Sequence, residues 1–195
     1  MNRIQSVCVY SAAGSQIADA YFRDAQELGK LLAQNSLRLI NGGGDVGLMR
    51  ACSDACLAAG GQVTGIIPRF MVERGWQHPA LTELIVTEDM HTRKQTMARL
   101  SDGVIALPGG CGTMEELLEI ITWKQLGLYL NPIVVLNTDG YYDPLLEMLS
   151  RAIEGGFMHP AHLHLWQTAS TPSEAVDLLF STPIWNKETG KFTSI

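Results

Sequence analysis

The sequence predicts a three-layer α/β fold, a central parallel sheet covered by helices on both faces, and three observations carry the prediction. Short apolar, β-branched runs alternate with segments of helical period. Gly, Pro, Asn or Asp stands at nearly every junction. The strand-like runs are apolar on both faces, as strands buried between two helical layers must be.

Taken in chain order, Ser6–Tyr10 (SVCVY) is the first buried strand, and Ile17–Gln34 follows with helical period. The strand Leu37–Asn41 runs into three glycines, after which Val46–Ala59 is helical. Gln62–Ile67 is a strand stopped by Pro68. Arg69–Pro79 (RFMVERGWQHP) has little periodicity and reads as a long exposed loop, able to act as a wall or lid over a site. Leu84–Thr87 is a strand leading to the helix Met90–Leu100, and Gly103–Leu107 is a strand leading, through a second glycine-rich loop, to the helix Thr113–Leu128. Strands Ile133–Asn137 and His164–Gln167 and helices Asp143–Ile153 and Ser173–Phe180 complete the pattern. Residues 1–180 therefore read as one domain, and the polar, aperiodic stretch 181–195 as a mobile or partner-docked tail.

A chain of 195 residues, 46% hydrophobic and 17% charged, suffices for one sizeable core. Its 14 Lys and Arg against 20 Asp and Glu, a formal charge of −6, leave no broad basic surface, so nucleic acid is not expected as a partner. The opening MNRIQSVCVYSAAG is neither a secretory h-region nor an apolar run of about 20 residues. A cytoplasmic protein with no membrane attachment is the expectation. The four cysteines suit a reducing compartment. Cys52 and Cys56 share a helix face, but beside Ala55 and Ala58 they read as small buried side chains rather than metal ligands.

Two glycine-rich loops carry the chemistry. The first, Gly42-Gly43-Gly44-Asp45-Val46-Gly47, joins strand to helix and fits G-x-G-x-x-G. A dinucleotide site also wants an acidic residue at the end of the next strand, and that strand ends Gly65-Ile66-Ile67-Pro68-Arg69, which disfavours NAD. The second, Pro108-Gly109-Gly110-Cys111-Gly112-Thr113-Met114-Glu115-Glu116, follows the buried run GVIAL. Its glycines let backbone N–H groups converge where a helix presents its positive end, which is an anion site. The Gly-Lys-Ser/Thr ending of a P-loop is absent, so a monophosphate is expected rather than a triphosphate with magnesium.

Around this loop, Arg93 and Lys94 open a helix where cations oppose the dipole, unless an anion or carboxylate faces them. Thr113 and Glu116 also fit a capping box, Thr-x-x-Glu, which would tie Glu116 to its own helix end. His162 and His164 would share a strand face, but with no Asp, Glu or Cys near them in sequence no metal is assigned. The helix Thr113–Leu128 is apolar around much of its circumference, which predicts burial against a second subunit.

Taken together, Met90-His91-Thr92-Arg93-Lys94, Met97-Ala98-Arg99, the Pro108–Glu116 loop and Ile121-Thr122-Trp123 resemble the Lonely Guy family of cytokinin riboside 5′-monophosphate phosphoribohydrolases, long labelled lysine decarboxylases. The similarity runs from about Val7 to Phe180. It implies a Rossmann-like homodimer that cleaves AMP and N6-modified AMP to free base and ribose 5-phosphate without a cofactor or metal. It further implies Arg93 and Glu116 as the catalytic pair, with Met90, Lys94, Gly109, Gly110, Cys111, Gly112, Thr113, Met114, Glu115 and Thr122 binding the nucleotide. Gly42, Gly43, Gly44, Gly47 and Met49 would form the opposite wall. Two departures stand out: Cys111 occupies a position often aromatic in relatives, and Ser11-Ala12-Ala13-Gly14-Ser15 replaces the family's Cys-Gly-Ser-Ser turn. The base preferred depends on packing around Met90, Cys111 and the loop near Trp76. A non-catalytic nucleotide or molybdenum cofactor carrier is the alternative, and such a carrier would not need Arg93 and Glu116 together.

Overall fold

The computed structural model describes residues 4–186. Seven strands form one sheet in the order β4-β3-β2-β1-β5-β6-β7, and every pairing is parallel. They are β1 Ser6–Tyr10, β2 Arg38–Asn41, β3 Val63–Pro68, β4 Glu83–Thr87, β5 Gly103–Ala106, β6 Ile133–Leu136 and β7 Gln167–Ala169. Between them run α1 Asp19–Gln34, α2 Gly47–Ala58, α3 Arg69–Val72, α4 Met90–Arg99, α5 Cys111–Gln125, α6 Asp143–Glu154 and α7 Pro172–Ser181.

The alternation of β1 shows how the layers form. Val7 and Val9 pack with Leu28 and Leu32 of α1, Leu48 and Cys52 of α2 and Leu179 of α7. Cys8 and Tyr10 point the other way, into a second core with Met97 of α4, Leu117 and Ile120 of α5 and Ile153 of α6. The sheet is thus sandwiched, which is why β5 and β6 are apolar on both faces. Cys52 and Cys56 are buried, as the sequence suggests, and all four cysteines are free. Among the described residues no helix is long and apolar enough to cross a membrane.

Three expectations need correction. The predicted strand His164–Gln167 is displaced: Pro160–His164 form a 3-10 turn and β7 begins only at Gln167. Local side-chain bonds account for the turn, since His159 Nδ1 accepts the Ala161 N–H at 3.2 Å and His162 Nδ1 accepts the His159 N–H at 3.1 Å. His162 and His164 therefore share no strand face. The stretch Arg69–Pro79 is not a free loop, because it opens with α3 and its later part is hydrogen-bonded to the first glycine loop. Finally, the tail begins docked on its own chain: the Trp185 N–H donates to the Leu130 carbonyl at 2.9 Å, and the indole packs on the second core. The remainder of the predicted tail, 187–195, lies outside the described residues.

β1 is flanked by β2 on one side and β5 on the other, so the connections leaving these strands diverge and open a crevice at their carboxyl ends. Both glycine loops lie there. Gly47 packs the first of them against the turn after β1. Its φ is +62°, and a methyl group on it would lie 2.6 Å from the Ala12 carbonyl oxygen, to which Leu48 N–H donates at 3.0 Å.

Candidate active site

The crevice holds a cavity of about 880 Å³ lined from the loops after β1, β2, β3 and β5, within the size range of small-molecule sites. Helix α4 delivers the basic pair. Asp89 caps it, its carboxylate accepting the Thr92 N–H at 2.7 Å, and this contact holds the Asp89 carboxyl below its ordinary pKa. Arg93 therefore falls at the fourth helical position, one turn in from the capped end. Its Nε donates to the Ile66 carbonyl of β3 at 3.0 Å, and its Nη1 donates to Glu116 Oε1 at 2.9 Å. Two fixed contacts leave the guanidinium one orientation, toward the cavity that it lines.

Helix α5 delivers the carboxylate. It begins at Cys111, two residues before the sequence suggests, with Gly110 as its N-cap and no side-chain cap. Thr113 thus sits inside the first turn, and Glu116 bonds Arg93 rather than its own helix end, so the capping box does not form. The first backbone hydrogen bond of the helix joins the Met114 N–H to the Gly110 carbonyl at 3.0 Å. The amides before it have no acceptor within the helix. Gly110, Gly112 and Thr113 line the cavity at that end. Two tyrosines brace the loop: Tyr141 OH donates to the Gly109 carbonyl at 2.6 Å and Tyr142 OH to the Leu107 carbonyl at 2.7 Å.

The Arg93 and Glu116 side chains are only 8% and 11% exposed. Burial pushes the Glu116 pKa up, Arg93 pulls it back by charge and hydrogen bond, and the net direction is upward. Lys94, also buried, bridges Glu115 and Glu119 of α5, the latter at 3.1 Å. Burial disfavours its charge, but the two carboxylates outweigh that and its pKa is raised. Beside them, Ser11 lines the cavity with a buried hydroxyl that has no hydrogen-bond partner among the described residues.

The fold brings together many of the residues singled out in the sequence. Met90, Arg93, Glu115 and Glu116 line the cavity with Gly109, Gly110, Gly112 and Thr113, and Gly42, Gly44 and Met49 line the facing wall. Six others lie outside its lining. Lys94 is engaged with α5 as described. Gly43 is occupied structurally, its N–H donating to Asn41 Oδ1 at 2.9 Å and its carbonyl accepting from His78 N–H at 2.8 Å. Gly47 packs against Ala12. Cys111 is exposed at the helix start, and Met114 follows it on the same turn without reaching the cavity. Thr122 is exposed three turns along α5, bonded to the Leu118 carbonyl at 2.8 Å.

Sequence reasoning missed Ser11 to Gly14 as a wall, along with Tyr141, whereas Met71, Gly75 and Trp76 line the cavity from the stretch Arg69–Pro79 read there as a wall or lid. The first had a signal, since it is the turn after a central strand. Tyr141 had none, because only the sheet order brings the end of β6 beside β5.

The parallel sheet, the crevice at its switch point and the uncapped helix end define a protein of the Rossmann-like α/β class. The profile of the family described as "Possible lysine decarboxylase" matches residues 49–179, and this chain belongs to that family. A probable cytokinin riboside 5′-monophosphate phosphoribohydrolase of Oryza sativa subsp. japonica is 43% identical over 91% of this chain and 73% of its own. A cytokinin riboside 5′-monophosphate phosphoribohydrolase of Arabidopsis thaliana is 43% identical over 91% of this chain and 78% of its own. Among solved structures, the molybdenum cofactor binding protein of Rippkaea orientalis superposes with a TM-score of 0.69 at 26% identity, covering 92% of this chain and 97% of that one. A molybdenum cofactor carrier protein of Chlamydomonas reinhardtii has a TM-score of 0.68 at 23% identity over 90% of this chain and 94% of that one, a likeness of fold.

Proposed function

We propose that this chain is a nucleoside 5′-monophosphate phosphoribohydrolase that adds water across the N-glycosidic bond of AMP and N6-modified AMP, giving free base and ribose 5-phosphate. One observation carries the reading: a buried Arg93–Glu116 pair faces a cavity whose neighbouring wall is the amide-bearing end of α5. A site that only held a nucleotide would gain nothing from a nearly buried carboxylate beside an anionic ligand. The names of the relatives at 43% identity support the same chemistry.

In this reading the phosphate sits on the amides of Gly110–Thr113 with the Ser11 hydroxyl beside it, and its binding energy positions the sugar. Cleavage builds positive charge on the ribose ring. Glu116, ionised, stabilises that charge and takes a proton from the attacking water, while the departing base nitrogen gains one. Arg93 stays charged at all working pH, so it holds Glu116 and the ribose rather than donating a proton. Lys94 balances Glu115 so that only one carboxylate acts at the sugar.

We further infer that residues 1–180 act as one catalytic unit, that the protein works as a homodimer and that it works in the cytoplasm. Leu118, Leu126 and Leu128 are exposed along and just beyond α5, which supports a subunit contact there. Four free cysteines suit a reducing compartment. The deciding experiment incubates the protein with AMP and N6-prenylated AMP and assays base and ribose 5-phosphate. Equimolar release of both products is expected, and tight binding with release of neither would favour the carrier.

A further inference from the structure

The segment that follows α3 is fastened over the cavity by more bonds than a surface loop needs. Gln77 pairs with Gly44 in an antiparallel bridge, the Asp45 N–H donates to the Trp76 carbonyl at 3.1 Å, and the His78 N–H donates to the Gly43 carbonyl at 2.8 Å. The His78 ring, 4% exposed, adds a side-chain latch. Its Nδ1 accepts the Ala80 N–H at 3.1 Å, which sets the neutral tautomer with its hydrogen on Nε2, and Nε2 donates to Asp54 Oδ1 of α2 at 2.9 Å.

What this fastening holds in place is Trp76. Trp76 lines the cavity beside Met71 yet remains 48% exposed, and the Arg74 guanidinium lies 5.0 Å from its ring centroid and 5.7 Å from that of Phe70. A large aromatic ring half in solvent at a cavity wall has apolar area still to bury. The same cavity ends in helix amides at α5. A ligand that satisfies both ends is anionic at one end and flat and apolar at the other.

Resting on the nucleotide reading above, we propose that Trp76 is the stacking wall for the base, and that His78, acting through Asp54, is the positioning residue that fixes this wall. The pair thereby selects nucleoside monophosphates with bicyclic bases over those with pyrimidines. A purine covers more of an indole than a pyrimidine does, so a rigidly held indole converts ring size into affinity. A mobile one would adapt to either.

The test measures hydrolysis and calorimetric binding of AMP and CMP by the wild-type protein and by W76A, W76F, H78A, D54A and D54N. W76A is expected to weaken AMP binding about tenfold, the order of one base–aromatic stack, and to shrink the preference for AMP over CMP, while W76F keeps most of both. H78A and D54A are expected to raise KM for AMP with kcat nearly unchanged. D54N restores KM, because an amide oxygen still accepts the Nε2 hydrogen. Since Asp54 is half exposed, D54A tests the latch even if H78A fails to fold. Unchanged AMP affinity in W76A, or an equal loss for AMP and CMP, overturns the wall; unchanged KM in D54A overturns the latch. A wild-type protein that binds AMP without cleaving it, and loses that binding in W76A, keeps the wall and overturns the hydrolase. One that neither binds nor cleaves AMP overturns the nucleotide reading itself, and the wall with it.

Discussion

Gly42 leaves Arg93 its place: a methyl group on Gly42 would lie 1.9 Å from Nη2 of Arg93 and 3.1 Å from its Cζ. The glycine at the end of β2 is thus defined by the guanidinium opposite it rather than by a turn. Arg93 cannot retreat, because its Nε is fixed to the Ile66 carbonyl and its Nη1 to Glu116.

Gly42→Ala is therefore expected to tilt the guanidinium away from Glu116 and lower kcat/KM for AMP about 10²-fold, the scale of an ångström's misplacement at a reacting centre. Steady-state hydrolysis checks this. A wild-type rate in the variant would mean that the position of the guanidinium does not matter to turnover.

The raised pKa of Glu116 sets the direction of a pH effect. In the proposed mechanism the working form is ionised, so kcat/KM is expected to fall as pH drops through that pKa, with the acid limb above the ordinary Glu value of about 4.3. Arg93→Ala removes the group that pulls the pKa down and moves the limb higher still. Glu116→Gln keeps the shape and loses turnover by about 10²–10⁴-fold with AMP binding retained. The pH profiles of wild type and R93A decide it, and a limb at the ordinary carboxylate value in both would refute the assignment.

Lys124 of α5 is 1% exposed, and burial pushes its pKa down to about 8. Its folded pKa thus lies below the unfolded value, so between pH 8 and the ordinary lysine value of about 10.4 the unfolded chain binds more protons, and stability rises with pH across that window. Below it the cost of the buried charge is felt in full, about 3 kcal/mol at most. Lys124→Met is expected to raise the melting temperature at pH 7, with the gain shrinking toward pH 10. Melting curves at the two pH values test it, and an equal or negative shift at both would show that the ammonium is not a burden.

How far the sequence reaches can be seen in single residues. The runs SVCVY and GVIAL announce buried parallel strands because they are apolar on both faces, and β1 and β5 fall where those runs predict. The QTA of β7 has no such pattern; its place is taken from β6 beside it, and the apolar residues just before it are held in a turn by His159 and His162. Thr113 and Glu116 show the same limit at the site. Their spacing suits a helix cap equally well, and only the approach of Arg93 from α4 chooses between the two.

The sequence by itself therefore determined the alternation of strand and helix, the two glycine turns and the chemical kinds of side chain available, since these follow from local periodicity and backbone freedom. The tertiary structure alone decided which of those groups meet. Glu116 faces Arg93, Trp76 stands over the cavity, and Thr122 stays outside its lining, because strand order brings distant segments into contact at ångström range and local pattern carries no record of it.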